Sequence, residues 1–457
     1  VVWLAGSANG GELFGQRILH ATHDRRLIAL DARNGKLCAG FGNKGTVKLY
    51  TDEEGFVPGD IGSVSPPVVI NNTIIVGSAV VDFVRAHTPR GTVKAFDARS
   101  GALRWQFEPI PLDATAPNAG QWPVDAVAAS GGANAWAPLS VDEARDLVFI
   151  PTGAPSPDYY GALRPGDNRY ANSLVVLRGS TGEMVWNFQF VHHDVWDYDT
   201  PAQPMLIDLQ RSGKSIPAVV QLTKQGFVFV FHRETGEPLF PILEKPVPKL
   251  AVTGEHLSPT QPVSTELPLL LNHNLNAESA WGLTPWDRGA CAKKIAGLNN
   301  QGLFTALTES PTLMLPGSLG GANWGGGVFW PERQQLVVNV NTAPFVGYLK
   351  PTSSAETGEH LPPAGKTMRI TMAGTPYTVV VESLLSPLGI PCSEPPWGKL
   401  MAIDLAKGEV LWQKPLGSVH EMAPLPLPFD IKWGTPNLGG ALMTAGNLVF
   451  IGATMDR

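Results

Sequence analysis

The chain has 457 residues, a formal net charge of −6, and charged side chains at 16% against the roughly 25% of ordinary domains. A sparse, acidic charge gives no basic footprint for nucleic acid, and no run of about 18 apolar residues offers a membrane span. With 49 glycines, 41 prolines and 13 tryptophans, the composition calls for many short strands joined by tight turns, not for long helices.

The chain opens at Val1 without a Met or a signal-peptide pattern, which reads as a processed or trimmed segment. From there one turn motif recurs: "ALDARNGKLCA" (29–39), "AFDARSGALRW" (95–105), "VLRGSTGEMVW" (176–186), "VFHRETGEPLF" (230–240) and "AIDLAKGEVLW" (402–412). Each predicts strand, a turn with Asp or a substitute and a Gly able to take φ > 0, then strand. The aromatic four places after the Gly is expected to pack between neighbouring sheets. A second element precedes several copies: "SPPVVINNTIIVGS" (65–78), "GGANAWAPLSVDEARDLVFIPTG" (131–153), "GGANWGGGVFWPERQQLVVNVNT" (320–342) and "GGALMTAGNLVFIGA" (439–453). It reads as strand, polar turn, strand. Two such pairs make a four-stranded sheet, so the repeating unit is a propeller blade. The long gap before Gly408 is expected to hold a degenerate blade around 320–345 and a Pro- and Leu-rich excursion over about 241–316.

Several residues along this order can carry chemistry. Asp82 ends an apolar strand; Trp136 and Trp324 each follow "GGAN"; Lys224 sits at a strand–turn taken as the start of the next blade. Taken singly, these read as a strand-end turn, core tryptophans and a solvated lysine. The stretch "VHHDVWDYDTPAQP" (191–204) is denser. Its adjacent histidines point to opposite sides of an extended chain, which disfavours zinc, and its aspartates suit a hard cation without following the EF-hand order. Alone it reads as a polar loop. Together, Asp82, Trp136, Asp197, Lys224 and Asn323 fall at equivalent blade edges that converge on a propeller axis. A carboxylate pair, a lysine and flat aromatics around one channel suit a planar, anionic, metal-bound cofactor. Of Cys38, Cys291 and Cys392, the last two are candidates for a disulfide; three buried thiols are an equal reading of the spacing.

The sequence resembles the quinoprotein dehydrogenases that use pyrroloquinoline quinone (PQQ), and among them the membrane-bound glucose/quinate/shikimate branch. The resemblance is carried by "HHDVWDYDTPAQP" (192–204), "EKPVPKLAVTGEHLSPTQP" (244–262), "LSPLGIPCSEPPWG" (385–398), "TAGNLVFIGAT" (444–454) and the blade-end turns. It implies an all-β, eight-bladed β-propeller over 1–457, incomplete at both ends, with PQQ and Ca²⁺ (or Mg²⁺) near its axis. By the same resemblance Asp197 is the catalytic aspartate and Lys224 the lysine on the quinone oxygens. Trp136 is the floor under the PQQ ring, Asn323 and Trp324 line the cofactor pocket, and Asp82 joins Asp197 at the metal. The implied reaction oxidises a sugar, polyol or cyclic hydroxy acid and passes electrons to ubiquinone, on the periplasmic side of the bacterial inner membrane. Ala154 stands where the alcohol-oxidising branch has a metal-binding asparagine, and Leu4 where the glucose enzymes have a pocket histidine. A non-catalytic scaffold and a metal-free sugar-binding propeller are the competing functions, and neither has need of an Asp197/Lys224 pair.

Overall fold

The computed structural model describes residues 2–4, 16–50, 58–112, 115–116, 122–123, 126–127, 130–352, 367–419 and 431–452. Antiparallel sheets follow one another along the chain. The first is Val2–Leu4, Arg17–Ala21, Arg26–Asp31 and Thr46–Lys48; the second is Val68–Ile70, Thr73–Val76, Val93–Asp97 and Leu103–Phe107. The third is Ser140–Asp142, Leu147–Pro151, Ser173–Arg178 and Met184–Gln189. In the fourth, Met205–Arg211 and Lys214–Leu222 turn on Ser212 and Gly213, both at positive φ as a tight two-residue hairpin requires. Its third strand is Val228–His232, and a fourth is reduced to the bridge between Phe231 and Pro238. The fifth sheet is Gly327–Trp330, Gln335–Asn341, Gly398–Asp404 and Glu409–Pro415, and the hairpin Ala441–Met443/Val449–Ile451 follows it.

The first strands of successive sheets pack against one another in chain order, so the sheets stand radially about a common axis. Second and third strands such as Leu147–Pro151 and Ser173–Arg178 are buried on both faces and are accordingly runs of Leu, Val, Ile and Phe. This up-and-down order puts every first-to-second and third-to-fourth turn on one face. Every second-to-third loop and every crossing to the next sheet lies on the other face.

The recurrent Gly turns are the third-to-fourth turns. Gly35, Gly101, Gly182, Gly236 and Gly408 all have positive φ, and each N–H donates to the carbonyl four residues back at 2.8–2.9 Å. The expected aromatic packing is present where the next sheet follows directly. Trp105 lies beneath Gly182 and donates Nε1–H to Gly179 O, and Trp186 lies beneath Gly236 and donates to Arg233 O. A Cβ on Gly182 would come within 2.8 Å of the Trp105 ring. Gly182→Ala is therefore expected to cost about 1–2 kcal/mol of stability, from the left-handed backbone alone, with the steric contact adding to it; denaturant unfolding measures it.

One expectation is revised by the topology. Segment 320–345 is no separate blade: it supplies the first two strands of the sheet whose last two carry the Gly408 turn. The loop between those halves, 342–397, instead builds a further sheet, with strand order Thr312–Met314, Phe345–Pro351, Tyr377–Ser383, Thr367–Thr371. The excursion over 241–316 holds a hairpin, Ile242–Pro246/Thr260–Ser264, and the helix Pro285–Ala296, started by a Thr284 cap on Asp287 N–H and by Pro285 in its first turn. Cys291 in this helix is disulfide-bonded to Cys392, and Cys38 is free.

Candidate active site

The loop 190–204 crosses from the third sheet to the fourth, and Asp194 shapes it. Its carboxylate accepts the N–H groups of Trp196 (2.9 Å) and Tyr198 (2.8 Å) and the Asn172 amide (2.8 Å). Burial pushes Asp194 up to about 6, with the backbone N–H groups and Arg164 holding it down. This arrangement turns the chain so that His193 and Asp197 take left-handed φ values of 47° and 60°. The stacked rings of Trp196 and Tyr198 anchor the loop, donating to Thr305 O and Pro316 O.

The two histidines part as expected. His192 is half-buried between Gln189 and Glu244, whereas His193 is enclosed, with Nδ1 at 2.7 Å from Gly166 O and Nε2 at 2.8 Å from Glu255. Both ring nitrogens of His193 thus face oxygen atoms. Burial would raise Glu255, but the His193 and Gly161 donors outweigh it and hold the carboxyl below the usual glutamate range. A depressed folded value stabilises the protein above the unfolded value near ~4.5 and is lost as pH falls through the folded one. Glu255→Gln is expected to cost about 1.5–3 kcal/mol at neutral pH, because it removes the charged acceptor of the His193 and Gly161 donors. The penalty should shrink below roughly pH 4.5, as read from urea unfolding at each pH.

Beyond His193 the chain delivers Asp197 and Asp199 to Lys224. The Lys224 ammonium donates to Asp197 Oδ1 (2.7 Å), Asp197 O (2.8 Å) and Asp199 Oδ2 (2.8 Å), which uses all three protons. Lys224 lies in the second-to-third turn of the fourth sheet, within one blade and not at the start of the next. Burial would lower it, but the Asp197 and Asp199 carboxylates more than offset that and keep it charged. Asp199 also accepts Ala154 N–H at 2.7 Å. Asp197 Oδ2 accepts the Tyr159 hydroxyl at 3.2 Å, and burial pushes Asp197 upward against the pull of Lys224.

Two further carboxylates complete the cluster, each from a second-to-third loop on the same face. Asp82 is driven well above the usual carboxylate range by burial and by Asp199 and Asp197. Asn134, with its amide nitrogen turned towards it, donates to Asp82 Oδ2 at 3.1 Å and accepts Val80 N–H at 3.2 Å. Asp158 is pushed up by burial and by Asp82, Asp197 and Asp199, and its Oδ1 is buried without a hydrogen-bond partner. Four carboxylates thus surround one ammonium.

The structure brings Asp82, Asp197 and Lys224 together and sets Trp136 at their margin. Trp136 Nε1 and the Asp199 carboxylate converge on Gly153, where a Cβ would lie 3.3 Å from the one and 2.4 Å from the other. Trp136 lies in the loop ahead of Ser140–Asp142, not within the innermost strand. Trp324 likewise precedes Gly327–Trp330 and is 49% exposed. Its loop touches Lys224 through backbone: Gly321 N–H donates to Lys224 O at 2.6 Å. The Asn323 side chain is spent within its own loop, on Leu319 O and Trp324 N–H. Ala154 is buried and brings no side-chain oxygen, while the Leu4 side chain lies outside the described residues. Asp158, Tyr159, Asp199 and Asn134 were not singled out in the sequence. For Asp199 the signal was present, two residues beyond Asp197 in a quoted motif.

Among the described residues, no three His, Cys, Asp or Glu side chains form a ready-made cage for a metal. The donor set nevertheless fits a hard divalent cation that takes some of its oxygens from a bound cofactor. All the ligands are carboxylate oxygen, negative charge is in excess, and one oxygen of Asp158 is unpartnered.

A radial array of antiparallel sheets joined up and down in chain order defines a β-propeller, with the buried carboxylate–lysine cluster on its loop face. More narrowly, residues 2–457 match the family model "PQQ: Glucose/ethanol/alcohol dehydrogenase, beta-propeller domain", and the chain belongs to that family. Membership implies PQQ and a divalent metal. The chain is 38% identical to quinoprotein glucose dehydrogenase A of Acinetobacter calcoaceticus, over 97% of this chain and 56% of that protein. It is 38% identical to the glycerol dehydrogenase large subunit of Gluconobacter oxydans (96% and 61%). It is 37% identical to the quinate/shikimate dehydrogenase (quinone) of Acinetobacter baylyi (96% and 55%). The chain therefore spans little more than half the length of these relatives. The quinohemoprotein alcohol dehydrogenase from Comamonas testosteroni shares the fold, with a TM-score of 0.62 at 22% identity over 95% of this chain and 54% of that one.

Proposed function

We propose that this chain forms the catalytic propeller of a PQQ-dependent dehydrogenase that oxidises a hydroxyl of a sugar, polyol or cyclic hydroxy acid. The observation that carries the reading is the buried meeting of Asp197 with Lys224 among three further carboxylates. A scaffold gains nothing from four crowded acids and one ammonium. Bound PQQ supplies the hydride acceptor, and a Ca²⁺ or Mg²⁺ ion beside it supplies Lewis acidity. Asp82 and Asp197 would hold the cation, with the open Asp158 oxygen available to it. Trp136 would lie against the PQQ ring, with Lys224, Asn323 and Trp324 lining the pocket.

Within this site Asp197 takes the proton of the substrate hydroxyl. The Tyr159 and Lys224 contacts fix its carboxylate plane. Lys224 keeps a positive charge where negative charge accumulates during hydride transfer. Asp199, tied to Ala154 N–H, orients Lys224 from the far side and is a positioning residue. Ubiquinone as acceptor is supported by the family resemblance and by the relative named as quinone-linked. The periplasmic side of the bacterial inner membrane suits the Cys291–Cys392 disulfide, which needs an oxidising compartment. Among the described residues no helix is long and apolar enough to cross a membrane.

The test is dye reduction by the full-length protein reconstituted with PQQ and Ca²⁺, offered glucose, glycerol, quinate and shikimate in turn. Turnover that requires PQQ is expected with at least one of them. A folded protein that binds no PQQ would overturn the reading.

A further inference from the structure

The sheet built from the 342–397 loop occupies the position that a short second-to-third loop fills in the other blades. Such loops carry Asp82, Asp158 and Lys224, so the inserted sheet rises on the face that bears the site. It reaches that site through two arms, one from the turn after Thr367–Thr371 and one from the start of Tyr377–Ser383. In the first, Ala373 N–H donates to Val84 O (2.9 Å) and Ala86 N–H donates to Ala373 O (2.8 Å). This parallel bridge seizes the chain just beyond Asp82. The opposite side of that segment is pinned by the Arg85–Asp60 ion pair at 2.5 Å. In the second arm, the Tyr377 ring meets the Tyr160 ring edge-on at 5.4 Å. Tyr160 adjoins Tyr159, whose hydroxyl donates to Asp197 Oδ2. Met372, Ile370, Val379 and Val381 bury their side chains in one cluster with Val84, Tyr159 and Tyr160.

We infer that this inserted sheet is a clasp that fixes Asp82 relative to Asp197, and that Tyr377 and Ala373 thereby set the protein's hold on a divalent cation. The inference rests on the proposed function. Asp82 and Asp197 come from loops of different blades and repel one another, so their spacing needs an outside constraint. The inserted sheet is hydrogen-bonded to the Asp82 loop and packs against the 152–172 loop, whose Tyr159 hydroxyl holds Asp197. A hard cation holds carboxylate oxygens at about 2.3–2.6 Å, so a loop released by even an ångström gives up a ligand. Partners that orient ligands without touching the metal commonly govern affinity by about 10–100-fold.

The test uses the full-length protein with PQQ and a Ca²⁺ titration followed by calorimetry. Tyr377→Ala should raise the half-saturating Ca²⁺ by about 10–100-fold, and excess Ca²⁺ should restore turnover. Tyr377→Phe, which keeps the ring against Tyr160, should bind as the wild type does. Equal Ca²⁺ affinity in wild type and Tyr377→Ala would overturn the clasp while leaving the dehydrogenase intact. Wild-type protein that takes up no Ca²⁺ with PQQ would instead sink the function reading, and the clasp with it. A second measurement needs no variant. Coupling is reciprocal, so Ca²⁺ with PQQ should slow amide hydrogen exchange at Ala86 and Ala373. Unchanged exchange there would also overturn the inference.

Discussion

Asp197→Asn in the full-length protein is expected to lower kcat for hydroxyl oxidation by about 10²–10⁴-fold while PQQ stays bound. Asparagine keeps the shape of the side chain, and its Oδ1 still accepts from Lys224 or Tyr159. It cannot take a proton. The loop itself hangs on Asp194, His193 and the Trp196–Tyr198 stack, none of which the substitution touches. Loss of turnover therefore reads as loss of the base, not collapse of the loop. PQQ absorbance on the purified variant separates the two, and a variant within a few-fold of wild type would remove Asp197 from the chemistry.

Lys224→Met should cost stability as well as activity. The ammonium bonds Asp197 and Asp199 directly and acts electrostatically on Asp82 and Asp158. Breaking a buried pair leaves uncompensated charge, worth about 3–5 kcal/mol. Methionine fills most of the lysine stem, so packing contributes little to the loss. Urea unfolding of the cofactor-free protein measures the effect, and added Ca²⁺ should recover part of it by replacing the missing charge. A variant as stable as wild type without Ca²⁺ would mean that these carboxylates are protonated and that Lys224 is not their counter-ion.

How far this was legible in the sequence depended on the range of the interaction. The Gly turns are local: a left-handed glycine and a tryptophan four places on state their own geometry, and Trp105 and Trp186 dock as the spacing predicts. His192 and His193 do part, but not by strand alternation: they lie in a loop, and His193 has a left-handed φ of 47°. Asp197 and Lys224 were reachable through a motif and a resemblance, whereas spacing alone left the Cys291–Cys392 pairing level with three free thiols. Asp158 and Tyr159 were not, because "PSPDYYG" has no local pattern that aims a side chain at the axis. They become site residues only when the second-to-third loops of separate sheets meet. The inserted sheet was missed for a related reason. Its strands lack the Asp–Gly turn, and its chain interrupts one blade, so 320–345 resembled a degenerate blade although it is half of an ordinary one. Asn323 and Trp324 fall where a blade edge was expected, but the Asn323 amide is turned inward on its own loop.

The central claim is that the axial carboxylates form a cation site that works with PQQ. Equilibrium dialysis of Ca²⁺ against the full-length protein with PQQ, beside an Asp82→Asn variant, tests it most directly. The account predicts a single Ca²⁺ held by the wild type and a markedly weaker hold in the variant. Ca²⁺ bound equally well by both, or by neither when both are folded and carry PQQ, would contradict it.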